Sequence, residues 1–251
     1  MKANIYIPES AISITAHPDD AEFLCTGTMA RWAKAGSRCA YILCTSGDVG
    51  IDDPALTRED VIRIREEEAK IAAKIAGIQE VVFLREPDGL LEANLELRKK
   101  LVREMRRFRP EVVICGDPTA FFMSENYINH PDHRAAALAS LEAVFPAAGQ
   151  PLLYPEMEEE GLKAYKPRKV YIMASHDHDH YVSIDETIEI KINALRAHQS
   201  QMRDWDPEER MRQWGEETAQ GKGMQYAEAF RVITLVDDES WEKIQALNKP
   251  G

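Results

Sequence analysis

Short apolar runs rich in β-branched residues alternate with longer amphipathic segments along most of this 251-residue chain. Alternation of this kind indicates βαβ units and a parallel sheet, because each helix returns the chain to the same end of the sheet. The runs that predict strands cover residues 11–16, 39–44, 81–84, 112–115, 170–174 and 230–236. The segments that predict helices cover residues 21–35, 58–76, 92–108, 131–144 and 185–202, the last with Asp185 as its cap. We therefore expect an α/β fold, an open and mostly parallel sheet with helices on both faces.

No internal repeat or low-complexity segment divides the chain. Residues 146–167, rich in Pro and Glu, are the nearest thing to a linker, but they are too few to separate two domains. We predict a single domain over residues 1–251, in which 146–167 form a loop and 203–251 a C-terminal extension. The ligand crevice of such a sheet lies beyond the carboxyl ends of the strands. This rule selects the loops that begin at His17, Thr45, Arg85 and Gly116.

The net charge of −12 and the hydrophobic fraction of 44% exclude several classes of partner and location. A negative average field repels polyanions, so we expect neither nucleic acid nor an anionic membrane as a partner. No window approaches the ~18 uninterrupted apolar residues that a membrane span requires. The first residues, MKANIYIPES, lack the apolar core of a signal peptide. The four cysteines form no CxxC pair. We therefore predict a cytoplasmic protein with reduced thiols.

A histidine and two carboxylates follow the first predicted strand, in the run Ala16-His17-Pro18-Asp19-Asp20. Zinc takes imidazole nitrogen and carboxylate oxygen as ligands, and a catalytic zinc site keeps one position for water. The alternative is structural, since either aspartate could cap the helix that follows. The histidine beside both carboxylates, at the end of a strand, favours the metal site.

A second cluster, His130-Pro131-Asp132-His133, follows a later strand and opens a helix. Residues three apart share a helix face, so the two imidazoles could point at one spot. Asp132 could hold one imidazole in a chosen tautomer, as carboxylates near metal ligands do. Without the first cluster, the alternative interpretation would be two surface histidines that cap a helix. Two such clusters at the mouth of one sheet supply the three protein ligands of an open zinc site.

These two motifs resemble the signatures of the LmbE/PIG-L-type zinc-dependent N-deacetylase family. The resemblance continues in the expected order over about residues 11–201 and is specific for the family, though not for a substrate. Its further segments are residues 45–50 (TSGDVG), similar to TxGExG; Arg65, Glu68 and Ala69, similar to RxxEA; residues 87–89 (PDG); and Lys191, Ala194, Leu195, His198, Ser200 and Gln201, similar to KxxALxxHxSQ.

The resemblance implies a Rossmann-like domain that holds one divalent ion, zinc or alternatively iron, since such a donor set has no strong preference among borderline metals. Asp19 cannot serve as a ligand and an efficient base together, so Asp20 is the better ligand. The residues implied are the zinc ligands His17, Asp20 and His133; the general base Asp19; a protonated His130 that stabilises the oxyanion; and Asp132, its orienting partner.

Three further positions match residues that face the sugar substrate in this family, namely Arg65, Asp88 and Asp48. Asp48 departs from the pattern, because it replaces a Glu with a side chain one methylene shorter. A second departure places Ala21 where many members have Glu. Members often form hexamers or smaller oligomers, so the resemblance also implies a homo-oligomer.

The expected function is hydrolysis that removes an N-acyl group, with acetyl the leading candidate, from an N-acetylglucosamine-type sugar or conjugate. One alternative is an amidase that cuts a different amide, such as an amino-sugar thiol conjugate. A receiver-like signalling domain also carries paired acids after its first strand, but Leu84-Arg85-Glu86 supplies no phosphoacceptor here. A non-catalytic metal-binding module would require neither Asp19 nor His130.

Two histidine features have no assigned role. On an extended chain, the imidazoles of His176, His178 and His180 would share one face and could bind a second metal; a polar loop is the favoured interpretation. His198 lies in the predicted late helix, where packing and substrate contact are equally consistent with its position.

Overall fold

Five parallel strands direct their carboxyl ends to one edge of the sheet in the computed structural model, which describes residues 6–248. The strands are β1 (Ser10–Thr15), β2 (Arg38–Thr45), β3 (Glu80–Glu86), β4 (Val112–Gly116), β5 (Phe122–Ser124), β6 (Tyr127–Ile128), β7 (Lys169–Met173), β8 (His180–Ser183) and β9 (Ala227–Thr234). The helices are α1 (Asp20–Leu24), α2 (Thr26–Lys34), α3 (Arg58–Ala76), α4 (Leu95–Phe108), α5 (Pro131–Val144), α6 (Pro155–Glu159), α7 (Ile188–Arg196), α8 (Gln199–Met202), α9 (Glu208–Ala219) and α10 (Asp238–Asn248).

The main sheet of the described residues has seven strands in the order β3-β2-β1-β4-β7-β9-β8. β9 runs antiparallel to both of its neighbours. The chain proceeds outward from β1 through β2 to β3 on one side, and β4 and β7 lie on the other side. The strand order therefore reverses between β1 and β4, which is where sheets of this kind bind ligands. The mostly parallel α/β fold is confirmed.

Both faces of the sheet are buried, as its nearly continuous apolar strands require. Ile12 and Ile14 of β1 face a core shared with α4 and α5. Ala11, on the opposite face of the same strand, packs in a core shared with α2 and α3. A smaller apolar cluster lies beneath α7 and α9 and includes Ile188 and Met211.

Two predicted helices are interrupted by contacts that are distant in sequence. The helix predicted over residues 21–35 breaks at Cys25, whose backbone is not helical. The carboxylate of Glu228 accepts hydrogen bonds from the N–H groups of Gly27 and Thr28 at 3.0 and 2.7 Å, so a residue of β9 caps α2. This partner lies 201 residues from Gly27, beyond the reach of a local pattern.

The helix predicted over residues 185–202 begins at Ile188 and breaks at His198. Asp185 is not its cap, because that carboxylate accepts hydrogen bonds from the N–H groups of Gln225 and Tyr226. The predicted helix over residues 92–108 begins later, at Leu95, where the Asn94 side chain accepts the N–H of Leu97.

The predictions omitted several elements that depend on tertiary pairing. β8 is four residues long and pairs with β9, and β5 and β6 form a separate two-stranded hairpin before α5. The predicted 146–167 loop contains a 3-10 turn (Ala147–Gly149) and α6. The predicted 203–251 extension also contains α9 and α10, which were not predicted. The strand predicted over residues 230–236 is β9, so the extension supplies a strand of the main sheet.

The four cysteines are all buried and unpaired, which agrees with the predicted reduced thiols. Within residues 6–248, every helix is too short or too polar to cross a lipid bilayer.

Candidate metal and catalytic site

The two predicted motifs meet where the strand order reverses. His17 follows β1, and His133 lies in the first turn of α5, after β4 and the β5–β6 hairpin. His17 Nδ1 lies 3.1 Å from His133 Nε2 and 3.6 Å from Asp20 Oδ2, and His133 Nε2 lies 3.0 Å from Asp20 Oδ1. Two imidazoles and one carboxylate thus converge from segments 116 residues apart.

The spacing of this group fits a divalent ion. Bonds of 2.0–2.1 Å in tetrahedral geometry separate neighbouring zinc ligands by about 3.3 Å, close to the distances observed. Within the described residues, His17, Asp20 and His133 form one of two groups that could hold a metal. The other consists of His17, His130 and Asp132. The first is favoured, because both carboxylate oxygens of Asp132 already accept backbone N–H groups, whereas Oδ1 of Asp20 does not.

Other residues fix the orientation of each donor. His17 Nε2 lies 3.0 Å from Asp88 Oδ1, so the ring presents Nδ1 to the cluster. His133 Nδ1 lies 3.1 Å from the side-chain oxygen of Asn129, which leaves Nε2 for the cluster. Asp20 Oδ2 accepts the N–H groups of Ala16 and His17, so Oδ1 is the oxygen that faces His133.

The electrostatics of the cluster favour a cation. Burial lowers the pKa of His17, but the surrounding carboxylates, that of Asp20 foremost, raise it to about 12. Burial raises the pKa of Asp20, and the charges of His133 and His17 nevertheless hold it well below its ordinary value. Asp88 and Asp132 also contact His17, so three carboxylates surround this one imidazole. This concentration of negative charge suits a dication.

Asp19 is held by a buried arginine rather than by the helix that follows it. Arg65 Nη2 donates to Asp19 Oδ1 at 3.0 Å, and Arg65 Nη1 donates to the Gly47 carbonyl at 3.2 Å. A Cβ at Gly47, whose φ is +66°, would lie 2.1 Å from Arg65 Nη1, and one at Gly50 would lie 2.3 Å away. The glycines of the 45–50 segment therefore make room for the guanidinium that positions Asp19.

Helix capping does not account for the paired aspartates. Asp19 is the N-cap residue of α1, yet its side chain makes no capping hydrogen bond, and Asp20 bonds backward to Ala16 and His17. Capping does describe His130, whose Nδ1 accepts an N–H at the start of α5. His133 makes no such bond.

His130 is half-exposed beside the cluster, its ring centroid 4.9 Å from that of His17. Burial and the positive charge of His17 lower the pKa of His130. Because its Nδ1 accepts a backbone N–H, a neutral His130 carries its proton on Nε2. Nε2 of a neutral His130 can therefore donate a hydrogen bond, and the protonated state expected from the sequence stays a prediction.

Asp132 is fully buried and bonds mainly to the loop after β3. Its oxygens accept the N–H groups of Gly89 at 2.7 Å and Leu91 at 3.3 Å, and Oδ2 lies 3.5 Å from His17 Nε2. His130 Nδ1 is 3.9 Å from Oδ1. Asp132 therefore fixes the loop and His17 more closely than it orients His130.

The two carboxylates predicted to face a sugar have partners within the chain. Asp48 Oδ1 accepts the N–H of Asp88 at 3.0 Å, and Asp48 Oδ2 lies 2.8 Å from Arg58. Asp88 accepts the N–H of Val49 at 3.2 Å in addition to contacting His17. These contacts join the loops after β2 and β3. Contact of Asp48, Asp88 or Arg65 with a substrate stays a prediction.

Sequence reasoning missed several supporting residues. Asn129 could have been noticed, because it lies four positions before His133, but nothing local distinguishes Glu66, which accepts hydrogen bonds from Ser46 and Arg85.

Contacts within the fold also explain the late motif, the segment over residues 191–201 that resembles KxxALxxHxSQ. Ser200 donates to Glu68 through its N–H and hydroxyl groups, Gln201 to the Gly50 carbonyl, and His198 Nε2 lies 3.4 Å from Glu22 Oε2 with both side chains buried.

The three histidines at positions 176, 178 and 180 do not form a metal site among the described residues. The ring of His176 bonds to the carbonyl of Phe122 at the β5–β6 hairpin, His178 bonds to the carbonyl of Ser175, and His180 packs edge-on against Tyr171. The favoured interpretation, a polar loop, agrees with these separate contacts.

Fold and site together define an α/β domain with two histidines and one carboxylate, at the carboxyl edge of its sheet, that could hold a metal ion. The chain matches the family described as PIG-L, GlcNAc-PI de-N-acetylase, over residues 12–144, and it belongs to this family. It is similar to the diacetylchitobiose deacetylase of Thermococcus kodakarensis, with 30% identity over 230 residues that cover 90% of this chain and 83% of the relative.

Solved structures support the same assignment. The N,N'-diacetylchitobiose deacetylase of Pyrococcus horikoshii is similar with a TM-score of 0.81 and 26% identity, covering 90% of this chain and 84% of that one. The 4-carboxy-2-hydroxymuconate hydratase of Pseudomonas putida shares the fold, with a TM-score of 0.74, 23% identity and coverage of 90% and 96%. Because the same fold also occurs in a hydratase, the function of this chain has to be argued from its site residues rather than from the sheet.

Proposed function

We propose that this protein is a zinc-dependent hydrolase that removes an acetyl group from an N-acetylglucosamine-type sugar or sugar conjugate. The observation that carries the proposal is the convergence of His17 Nδ1, His133 Nε2 and Asp20 Oδ1, with His130 beside them and Asp19 next to Asp20 in the chain. Family membership and the relatives named as deacetylases support the same reaction.

The metal would be held by His17, Asp20 and His133, whose donor types and spacing fit zinc; iron is the alternative ion. A divalent ion at such a site polarises a carbonyl and lowers the pKa of a coordinated water to about 7. The remaining groups of the site supply the proton transfers and the hydrogen bonds of the reaction.

Asp19 acts as the general base and then as the acid. Its Oδ1 accepts from Arg65, which orients the carboxylate and leaves Oδ2 to take the proton of the attacking water. The same oxygen returns that proton to the departing amine, so that the C–N bond breaks to give a free amine and acetate. If Asp19→Asn keeps near-full turnover, another group is the base.

His130 donates from Nε2–H to the carbonyl oxygen as negative charge develops on it. The neutral tautomer described above serves this role without a protonation step. A fixed hydrogen bond of this kind is stronger in the transition state than in the bound substrate, and it therefore raises kcat.

The test is amine release from a panel of N-acetylated sugars, with and without a chelator. We expect release from at least one N-acetylglucosamine-type compound, its loss on chelation, and its recovery when zinc is restored. Release that a chelator does not alter, or no release from any N-acetylated sugar, contradicts the proposal. Including an amino-sugar thiol conjugate separates the deacetylase from the amidase alternative.

A non-catalytic metal-binding module would bind the ion in calorimetry yet release no amine from any compound, so the same panel tests that alternative. The receiver-like interpretation stays without support, since the end of β3 carries Arg85, which bonds to Glu66, where a phosphoacceptor would be required. A single-domain chain, a homo-oligomeric state and a cytoplasmic location are further proposals that rest on the sequence; light scattering tests the second.

A further inference from the structure

A small cavity lies directly beside the proposed metal ligands. It is bordered by Asp20 and His133 and otherwise has mainly apolar walls, among them Ile14, Leu24 and Ala136. It leaves about 30 Å³ for the centres of water-sized atoms. One water requires about 10–15 Å³ by this measure, so the cavity accepts a group of about two heavy atoms and excludes a sugar ring.

The polar groups in its wall are already occupied. Asp117 accepts hydrogen bonds from Ser175 and Thr119, each at 2.6 Å. Asn129 donates to the Ala120 carbonyl at 2.8 Å and contacts His133 through its oxygen. No hydroxyl of a sugar is needed to satisfy these groups, so the cavity suits an apolar occupant.

The cavity also lies on the side of the cluster away from the predicted sugar contacts. Its walls come mainly from β1, α1, β4, β7 and α5. Arg65 and Asp88 approach from α3 and the loop after β3, and β3 and β4 lie on opposite sides of β1 in the sheet. An amide that spans the cluster with its sugar toward Asp88 therefore directs its acyl group into the cavity.

A second cavity adjoins the first across a thin wall. It leaves about 230 Å³ and is lined by apolar side chains, among them Phe23, Ile184 and Trp214, and also by the paired charges of Lys191 and Glu228. Leu24 and Ala174 border both cavities. Ala174 has only a methyl side chain, whereas the Leu24 side chain can be shortened by substitution. Leu24 is therefore the residue whose truncation would remove part of the wall between the two cavities.

We propose that Leu24 determines the acyl-group specificity of the enzyme: it closes the small cavity at the size of an acetyl group and separates it from space that would admit a longer chain. This inference rests on the proposed deacetylase function and adds the residue that limits the substrate. The wild-type protein then prefers N-acetyl over N-butyryl substrates, because a butyryl group is longer by two methylenes and a single excess methylene in an apolar pocket already costs about 10–200-fold in kcat/KM.

The test compares kcat/KM for N-formyl-, N-acetyl- and N-butyrylglucosamine in the wild type, Leu24→Ala and Gly116→Ala. Leu24→Ala is expected to raise the value for the butyryl substrate by about tenfold or more, since the added methylenes gain apolar contacts in the second cavity. Leu162→Ala is the matched control, because Leu162 is also partly buried but packs in the core near α4 and α6.

Gly116→Ala tests the opposite direction. Gly116 borders the small cavity, and a Cβ there would meet Ala137 Cβ at 3.4 Å, an ordinary contact that fills space. The variant is expected to lose about tenfold or more in kcat/KM on the acetyl substrate and to keep its activity on the formyl substrate. Metal content is measured for each variant, so that loss of the ion is not mistaken for a change of specificity.

The outcomes separate the two proposals. A wild type that releases no amine from these substrates or from any N-acetylated sugar of the panel above overturns the proposed function and this inference together. If it hydrolyses only another sugar of the panel, the three acyl groups are compared on that sugar. A wild type that hydrolyses acetyl and butyryl substrates equally, or variants that keep the wild-type preference at normal metal content, overturns the inference alone.

Discussion

His17 organises the site, because its two ring nitrogens face opposite groups. Nδ1 faces Asp20 and His133, and Nε2 faces Asp88. The imidazole cannot rotate without breaking one of these contacts. Asp88, which the sequence places toward a sugar, thus also acts on the metal site through His17.

Replacing Asp88 by Ala distinguishes these two roles. Loss of the partner that orients a ligating histidine typically weakens metal affinity by about 10–100-fold, and we expect that loss here. Zinc affinity is measured by chelator competition, with the exposed Asp177→Ala as the control. Unchanged affinity combined with a raised KM would assign Asp88 to substrate binding alone.

Replacing His130 by Ala should separate catalysis from metal binding. Removal of one oxyanion donor typically lowers kcat by about 10²–10³-fold. Because Nε2 of His130 is not one of the three converging donors, we expect the zinc content to stay at the wild-type level. Zinc loss from this variant, measured by elemental analysis, would show that the role assignment is wrong.

Elements whose ends depend on local signals could be predicted closely. The predicted bounds of α3 and α5 are the observed ones. Thr57 and Asp60 form a capping box before α3, and Gly77 ends it in the left-handed conformation. Pro131 occupies the first turn of α5, where a missing N–H is harmless.

The elements that the sequence did not predict depend on distant partners. The break at Cys25 follows from Glu228, and the break at His198 accompanies burial of its ring beside Glu22. The site residues also fall into a predictable group and an unpredictable one. Strand ends could be predicted to bring His17 and His133 together, but the inward direction of Asp48 and Asp88 depends on how two loops meet.

The N-terminus of α2 allows a test of how much one such distant partner, Glu228, contributes to stability. Lys191 and Glu228 form a buried ion pair, and Glu228 also caps α2. Lys191→Met leaves that carboxylate buried without its counter-charge, and removal of one member of a buried pair costs about 3–5 kcal/mol.

Urea denaturation measures this loss of unfolding free energy. Lys34→Met is the control, because Lys34 lies in an exposed ion pair with Glu186 and should change stability by less than about 1 kcal/mol. The double variant Lys191→Met with Glu228→Gln should recover part of the loss. Equal stability of Lys191→Met and the control would mean that the buried pair contributes little.

At the scale of the whole molecule, ion binding and folding are linked. The proposed ligands His17 and His133 lie 116 residues apart and meet only in the folded chain. An ion that binds the native state alone stabilises it by about 2.7 kcal/mol at one hundred times its Kd. The thermal midpoint should therefore rise with zinc concentration and fall with a chelator.

Differential scanning calorimetry checks this dependence. His133→Ala should lose the zinc-dependent rise, whereas His130→Ala should keep it, because only His133 belongs to the converging group. A midpoint independent of zinc in the wild type would count against an ion at this site.

The position of β9 in the sheet has a consequence for the protein while it is being made. During translation, all the residues of the candidate metal site are synthesised before residue 227, where β9 begins. Until β9 emerges, the outer edge of β7 stays unpaired and β8 lacks the neighbour to which it bonds. The nascent chain therefore presents an open strand edge to other nascent copies during this interval, which is when mispairing between them would begin.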